Sequence, residues 1–159
     1  MLELKNTALS KLNNRGVDIS SIGIIVYNLQ KKYNHDITIN DCLEAINSVL
    51  NKREVIHTIL TGIALDECAE QNLLDHNINQ IIKNDDSLYG IDEILALGIV
   101  NIYGTIALTS FGYLDKTKPG IVGILDTIGK NKTQCHTFLD DIVCAIAAAA
   151  ASKIAHSKK

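Results

Sequence analysis

Residues 94–114 form a run of 21 residues without a charged side chain, and no other feature of the chain constrains its fold as strongly. A helix of about 20 apolar residues can cross a bilayer. Asn101, Thr105 and Thr109 lower the hydropathy of this run, and the chain holds no second uncharged run of that length. The run therefore favours a buried helix, or a pair of helices broken near Gly104, over a membrane span.

Helical rather than strand periodicity recurs along the rest of the chain. Apolar residues in the long segments follow spacings of three and four, and no segment alternates convincingly with a period of two. Thr38 and Asp41 form the pattern of a capping box at a helix start. The alanines of residues 147–151 combine high helix propensity with little bulk, so another helix can approach closely. We predict an all-α fold: a single compact multi-helix domain spanning residues 1–159, with residues 94–114 as its central apolar helix or helix pair.

The composition excludes one class of partner and favours one compartment. A formal net charge of −3 and an aromatic content of 4% leave no basic field for phosphates and few stacking platforms for bases, so we expect no nucleic-acid partner. The four cysteines form no C-x-x-C pair, which indicates reduced thiols, and residues 1–6 show no secretory signal. We expect a cytoplasmic protein, with peripheral membrane contact left open.

Because the apolar and alanine-rich helices offer more low-charge surface than one small bundle hides, we also expect a homo-oligomer.

Acidic residues crowd the ends of the apolar segments. Asp92 and Glu93 stand before the uncharged run, Asp115 follows it, and Asp140 and Asp141 open the last predicted helix. Hard cations such as Mg²⁺ take oxygen ligands, usually carboxylates together with waters and substrate phosphate oxygens. These acids are therefore candidate metal ligands. The alternative is that acids in the first turn of a helix serve only to stabilise the helix dipole.

One geometric condition accompanies the metal hypothesis. A straight helix from Asp92 to Asp115 would separate the two residues by about 35 Å, which is too far for them to share an ion. Gly104 lies near the midpoint of the intervening chain, so a turn there would return Asp115 to the end where Asp92 lies. Either a bend near Gly104 or a contribution from a second subunit is required.

Several other polar residues receive ordinary structural interpretations. Asp66, Glu67 and Glu70 lie mostly outside the apolar stripe of their helix, which favours a solvated acidic face. His136 is a candidate general acid or phosphate contact, although a solvent-facing position ahead of the last helix is favoured. Thr137 is expected to cap that helix.

An ordered set of motifs carries a resemblance to a known family. Asp92-Glu93 is followed by Asp115-Lys-Thr-Lys118-Pro119, then by Asp126, and finally by Asp140-Asp141-Ile-Val at a helix start. This order resembles the phosphatidylglycerophosphatase A family, which shows an Asp-Glu pair, an Asp-x-x-Lys-Pro segment with a further Asp, and an Asp-Asp-Ile-Val-Ala-like helix start. The chain looks like the shorter, soluble branch of that family found in Gram-positive bacteria.

The resemblance implies a Mg²⁺-dependent phosphatase that removes the terminal phosphate of phosphatidylglycerophosphate to leave phosphatidylglycerol, with Mn²⁺ as a substitute ion. The matching positions that would hold metal or activate water are Asp92, Glu93, Asp115, Asp140 and Asp141. Lys118 would contact phosphate, and Asp126 would support the site.

From the residues themselves we add His136 and Thr137 as candidate phosphate contacts. The expected partner is a phosphorylated small molecule or a phospholipid headgroup. A non-catalytic, oligomeric helical protein that binds metal or phosphate is the alternative function, and phosphate release with Mg²⁺ would separate the two.

Overall fold

Nine α-helices joined by turns and short loops form residues 1–157, the part of the chain that this computed structural model describes. In chain order they are α1 (Leu2–Asn14), α2 (Ile19–Gln30), α3 (Ile39–Val49), α4 (Arg53–Glu70), α5 (His76–Asn84), α6 (Ile91–Val100), α7 (Thr105–Thr117), α8 (Ile121–Lys130) and α9 (Leu139–Ser157). No strand occurs within these described residues, so the predicted all-α fold is confirmed. The last two residues of the predicted domain, Lys158 and Lys159, lie outside the described residues.

Side-chain caps start two of the helices, and the capping box of α3 is the one that the sequence predicts. The Asp18 carboxylate accepts a backbone N–H at the start of α2, at 3.2 Å. At the start of α3, Thr38 and Asp41 exchange the reciprocal bonds of a capping box. Helix α2 ends at Gln30, and the chain then turns so that the Tyr33 N–H bonds to the Gln30 carbonyl.

The last helix, α9, lies at the centre of the fold. Every side chain from its start to Ser152 is buried, and the helices that pack against it are α2, α3, α4, α6, α7 and α8. Residues 147–151, the alanine run, are fully buried within this helix. Gly62 of α4 lets that helix come close to α9, since a Cβ atom there would overlap the Ile142 side chain. The core is therefore built around α9 rather than around residues 94–114.

Residues 94–114 fold as parts of two helices, which resolves the choice that the sequence left open. Helix α6 ends at Val100, and α7 begins at Thr105, directly after Gly104. The φ of +81° at Gly104 lies in the left-handed region that glycine adopts without steric strain. Apolar side chains such as Ile94, at 61% exposure, leave the outer face of this helix pair uncovered. In the described part of the chain, no helix is both long enough and apolar enough to cross a membrane.

Candidate functional site

The turn at Gly104 brings the acids that flank the uncharged run to one end of the helix pair. Asp92 lies in the first turn of α6, and Asp115 lies near the end of α7. Burial raises the pKa of Asp92, and the negative charges of Glu93 and Asp115 raise it further. Asp92 and Asp115 are thus close enough to influence each other electrostatically, as a bend at this position predicts.

Lys118 connects the acid at the end of α7 with the acids at the start of α9. It ends α7 in a left-handed conformation with a φ of +45°, and its backbone N–H bonds to the carbonyl of Leu114 at 2.8 Å. Its Nζ atom lies 3.1 Å from Asp115 Oδ1 and 3.1 Å from Asp140 Oδ2. Burial lowers the pKa of Lys118, but the charges and hydrogen bonds of Asp140 and Asp115 outweigh that effect and raise it. The ammonium group therefore stays charged and links α7 to the start of α9.

Asp140 and Asp141 are buried at the start of α9, with 4% and 3% of their surface exposed. Asp140 Oδ1 accepts the backbone N–H of Asp141 at 2.8 Å. Burial raises the pKa of Asp140 to about 7, although Lys118 opposes the shift. The pKa of Asp141 rises to about 10 because of burial and the nearby charges of Asp140 and Asp115. The site therefore holds more carboxylate than Lys118 neutralises, and it favours a proton or a bound cation.

The donor atoms of this site suit a hard divalent cation in their chemistry. Asp92, Asp115 and Asp141 offer carboxylate oxygens, which Mg²⁺ takes as ligands, and their mutual repulsion is relieved by positive charge. Within the described residues, no three acidic, histidine or cysteine side chains close around a single point as a metal site does. The cation that Asp115 and Asp140 contact here is the Lys118 ammonium group.

A cleft of about 150 Å³ opens beside Asp140, between α5, α8 and the start of α9. Its wall includes Asp85 and Asp126 together with three lysines, Lys83, Lys130 and Lys132. Asp126, the predicted supporting residue, pairs with Lys130 at 2.6 Å. The cleft thus places basic side chains next to Asp140.

Asp85 also lines this cleft, although the motifs of the sequence do not include it. It follows α5 in a left-handed conformation with a φ of +51°, which is uncommon for a residue other than glycine. Burial raises the pKa of Asp85, and the negative charge of Asp92 raises it further. An acid directly after a short helix was the available clue, but residues 84–87 have the composition of an ordinary polar loop. Glu93, which the motifs included, is exposed on α6.

His136 and Thr137 are held inside the protein rather than presented to solvent. His136 is 3% exposed, so the favoured solvent-facing interpretation is wrong. Its Nδ1 atom lies 3.4 Å from the guanidinium group of Arg15, and burial and the Arg15 charge lower its pKa to about 4. The Thr137 hydroxyl donates to the carbonyl of Ile82 and does not cap α9. Both residues line the cleft beside Asp140, although their polar atoms bond within the protein.

The N–H groups at the start of α9 are capped instead by Asp66, which belongs to α4. Asp66 Oδ1 accepts the Phe138 N–H at 3.0 Å, and Oδ2 accepts the Leu139 N–H at 3.0 Å. Asp66 is fully buried, and Glu70 forms an ion pair with the buried Arg15. The prediction of a solvated acidic face on α4 is therefore wrong for Asp66 and Glu70.

Aspartates gathered around a lysine at the ends of packed helices define an all-α domain with an acid-and-lysine site. The model of the Phosphatidylglycerophosphatase A family matches residues 12–156. The chain belongs to this family, which confirms the resemblance drawn from its motifs.

One relative is similar to this chain in sequence, and two solved structures are similar to it in fold, over most of their own length. The chain is 53% identical to the uncharacterized protein YpjQ of Bacillus subtilis (strain 168), over 99% of this chain and 87% of YpjQ. The structure of a protein of unknown function from Bacillus stearothermophilus matches with a TM-score of 0.93 at 51% identity, covering 98% of this chain and 95% of that one. The crystal structure of the low temperature requirement C protein from Listeria monocytogenes matches with a TM-score of 0.93 at 50% identity, covering 97% and 96%.

Proposed function

We propose that this protein is a Mg²⁺-dependent phosphatase that hydrolyses the terminal phosphomonoester of phosphatidylglycerophosphate. Membership in the phosphatidylglycerophosphatase A family supports this activity and a phospholipid headgroup as substrate. The observation that carries the proposal is the position of Lys118, whose ammonium group contacts Asp115 and Asp140 amid carboxylates with raised pKa values. A lysine that contacts phosphate and carboxylates that hold Mg²⁺ recur at sites of phosphoryl transfer. We further propose that the protein meets the membrane as a peripheral cytoplasmic protein.

Each member of the cluster has a role that its chemistry supports. Bound Mg²⁺ would neutralise charge on the phosphoryl oxygens, and the residues that would hold it are Asp92, Glu93, Asp115, Asp140 and Asp141. Lys118 binds a phosphoryl oxygen with its ammonium group, which its acidic partners Asp140 and Asp115 keep charged despite burial. A carboxylate of the cluster accepts a proton from the attacking water. The basic side chains of the cleft, such as Lys130, orient the anionic substrate.

Phosphate release tests this activity directly. The substrates are phosphatidylglycerophosphate in detergent micelles, phosphatidic acid and glycerol 3-phosphate, each with Mg²⁺, with Mn²⁺ or with EDTA. We expect release from phosphatidylglycerophosphate with either ion and none with EDTA. Asp115→Asn should lower kcat by at least about 100-fold, the range typical of a lost acid–base or metal-binding group. The matched control is Asp36→Asn, an exposed aspartate distant in sequence from the cluster, which should retain activity.

A binding measurement separates the enzyme from the non-catalytic alternative. Millimolar Mg²⁺ should raise the melting temperature of the wild type, because binding to the folded state stabilises it. Asp115→Asn should reduce this shift, whereas Asp36→Asn should not. An Asp115-dependent shift without phosphate release from any substrate would instead favour a metal-binding protein. Equal shifts in the wild type and in Asp115→Asn would show that Asp115 is not a ligand.

A further inference from the structure

We propose that Asp66 is a positioning residue that fixes the start of α9 and thereby places Asp140 and Asp141 in the candidate site. The proposal rests on the proposed function, and it concerns a residue that lies on a different helix from every acid of the site. Asp66 is not assigned to contact substrate. It acts through the backbone of Phe138 and Leu139.

The contact between Asp66 and α9 is a side-chain cap supplied from a distant part of the chain. The first N–H groups of a helix have no partner within the helix and need an acceptor from outside. A residue just before the helix usually supplies that acceptor. Here the Phe138 and Leu139 N–H groups each bond to one carboxylate oxygen of Asp66, at 3.0 Å, across a separation of 72 and 73 residues. The orientation of the first turn of α9 therefore depends on where α4 holds this carboxylate.

One face of α4 contacts residues 135–139, the segment that leads into α9, at three successive turns. Gly62, Asp66 and Glu70 are spaced four residues apart, so they lie on the same side of the helix. At Gly62 an added Cβ would lie 3.2 Å from Phe138 Cβ, which shows how closely α4 approaches the start of α9. Glu70 accepts the Cys135 N–H at 2.7 Å. The segment that leads into α9 is thus bonded to α4 at both ends.

The position of this first turn decides where the site acids point. Asp140 and Asp141 come one and two residues after Leu139, and side-chain directions on a helix follow from its rotation about its own axis. Asp140 then meets Lys118 at 3.1 Å, a contact that a small rotation of α9 would break. Displacements of about 1 Å at a reacting group are enough to slow catalysis about 100-fold.

The contact uses both oxygens of the Asp66 carboxyl group. Two acceptor oxygens serve two N–H donors, and the fully buried side chain has no access to solvent that could replace either bond. An asparagine offers a single oxygen and would turn its own N–H₂ group towards a backbone N–H. Asp66→Asn therefore removes one of the two bonds while it keeps the size of the side chain.

The test compares Asp66→Asn with Asp18→Asn, a matched cap variant on α2. Asp66→Asn should lower kcat for phosphate release by about 10- to 100-fold with KM within about twofold, because Asp140 and Asp141 are misplaced while Lys118 and the lysines of the cleft, which lie outside α9, still contact the substrate. Asp18→Asn should lower the melting temperature without a change in kcat. Both are assayed well below their melting temperatures, with circular dichroism to confirm that each is folded.

Asp66→Glu is a second variant, in which the side-chain cap of α9 is displaced but not removed. It keeps both acceptor oxygens but moves them by one methylene, so the first turn of α9 shifts while its N–H groups stay bonded. We expect kcat to fall in this variant also. If Asp66 serves only to stabilise the fold, activity per folded molecule should equal that of the wild type in both variants, and that result would overturn the proposal.

A spectroscopic measurement that does not depend on phosphatase activity separates failure of this proposal from failure of the proposed function. In ¹H–¹⁵N spectra, the amide signals of Asp115 and Lys118 on α7 should shift in Asp66→Asn and Asp66→Glu but not in Asp18→Asn. A wild type that releases no phosphate would refute the phosphatase, while these shifts would still support Asp66 as the residue that positions α9. Unchanged α7 signals would refute the positioning role whatever the activity.

Discussion

Removal of the Lys118 ammonium group should destabilise the fold in a manner that depends on pH. Lys118→Met keeps the aliphatic length of the side chain but leaves Asp115 and Asp140 without this cation. Breaking one side of a buried ion pair costs about 3–5 kcal/mol. Because 29% of the Lys118 side chain is exposed, we reduce the expected loss to about 2 kcal/mol at pH 7.

The pH dependence follows from the raised pKa of Asp140. Its folded value of about 7 lies above the ordinary 3.8, so the folded state binds this proton more tightly and stability falls as pH rises from about 4 through 7. Without Lys118 the folded pKa rises further, and the loss continues above pH 7 at up to about 1.4 kcal/mol per pH unit. The pKa of Lys118 itself is raised, so its own contribution is present throughout this range and is lost only at higher pH. The difference between wild type and Lys118→Met should widen by up to about 2 kcal/mol between pH 7 and 8.5.

Urea unfolding followed by circular dichroism measures this difference, with EDTA present to exclude metal ions. The measurements at pH 6.0, 7.0 and 8.5 should give a gap in the free energy of unfolding that grows with pH. Lys116→Met, at an exposed position on the same helix, should show no such growth. Parallel pH curves for the wild type and Lys118→Met would refute the electrostatic role assigned to Lys118.

Three further predictions concern packing and assembly. Gly123→Ala should lower the free energy of unfolding by about 1–3 kcal/mol, since its Cβ would lie 2.6 Å from the Lys118 carbonyl oxygen. Gly112→Ala, whose Cβ would meet nothing within 4 Å, should raise the free energy of unfolding by about 0.5–1 kcal/mol through helix propensity, and a loss of stability there would contradict this account. Light scattering at micromolar concentration should give the mass of a homo-oligomer, because Ile94 and Leu108 leave an uncharged face exposed on α6 and α7. A monomeric mass would refute that expectation.

Much of the helix pattern could be predicted because it depends on residues that are close in sequence. The capping box of Thr38 and Asp41 forms within four residues, and the break at Gly104 follows from the backbone conformation that glycine permits. That break in turn accounts for the return of Asp115 towards Asp92. The order of the acids and of Lys118 along the chain was therefore sufficient to propose the components of a site.

The amino-acid sequence by itself thus determined the all-α class, the helix pair and the family motifs around Asp115 and Asp140, since each is a local or ordered pattern. Only the tertiary structure decided that α9 is the central helix and that Asp66 and Asp85 belong beside it. The periodicity of apolar residues shows which face of a helix is buried. It does not show which residues of other helices contact a polar side chain in the core. Asp66 is tolerated in the core because backbone N–H groups 72 and 73 residues away bond to its carboxylate. Contacts of that separation exist only once the helices have packed.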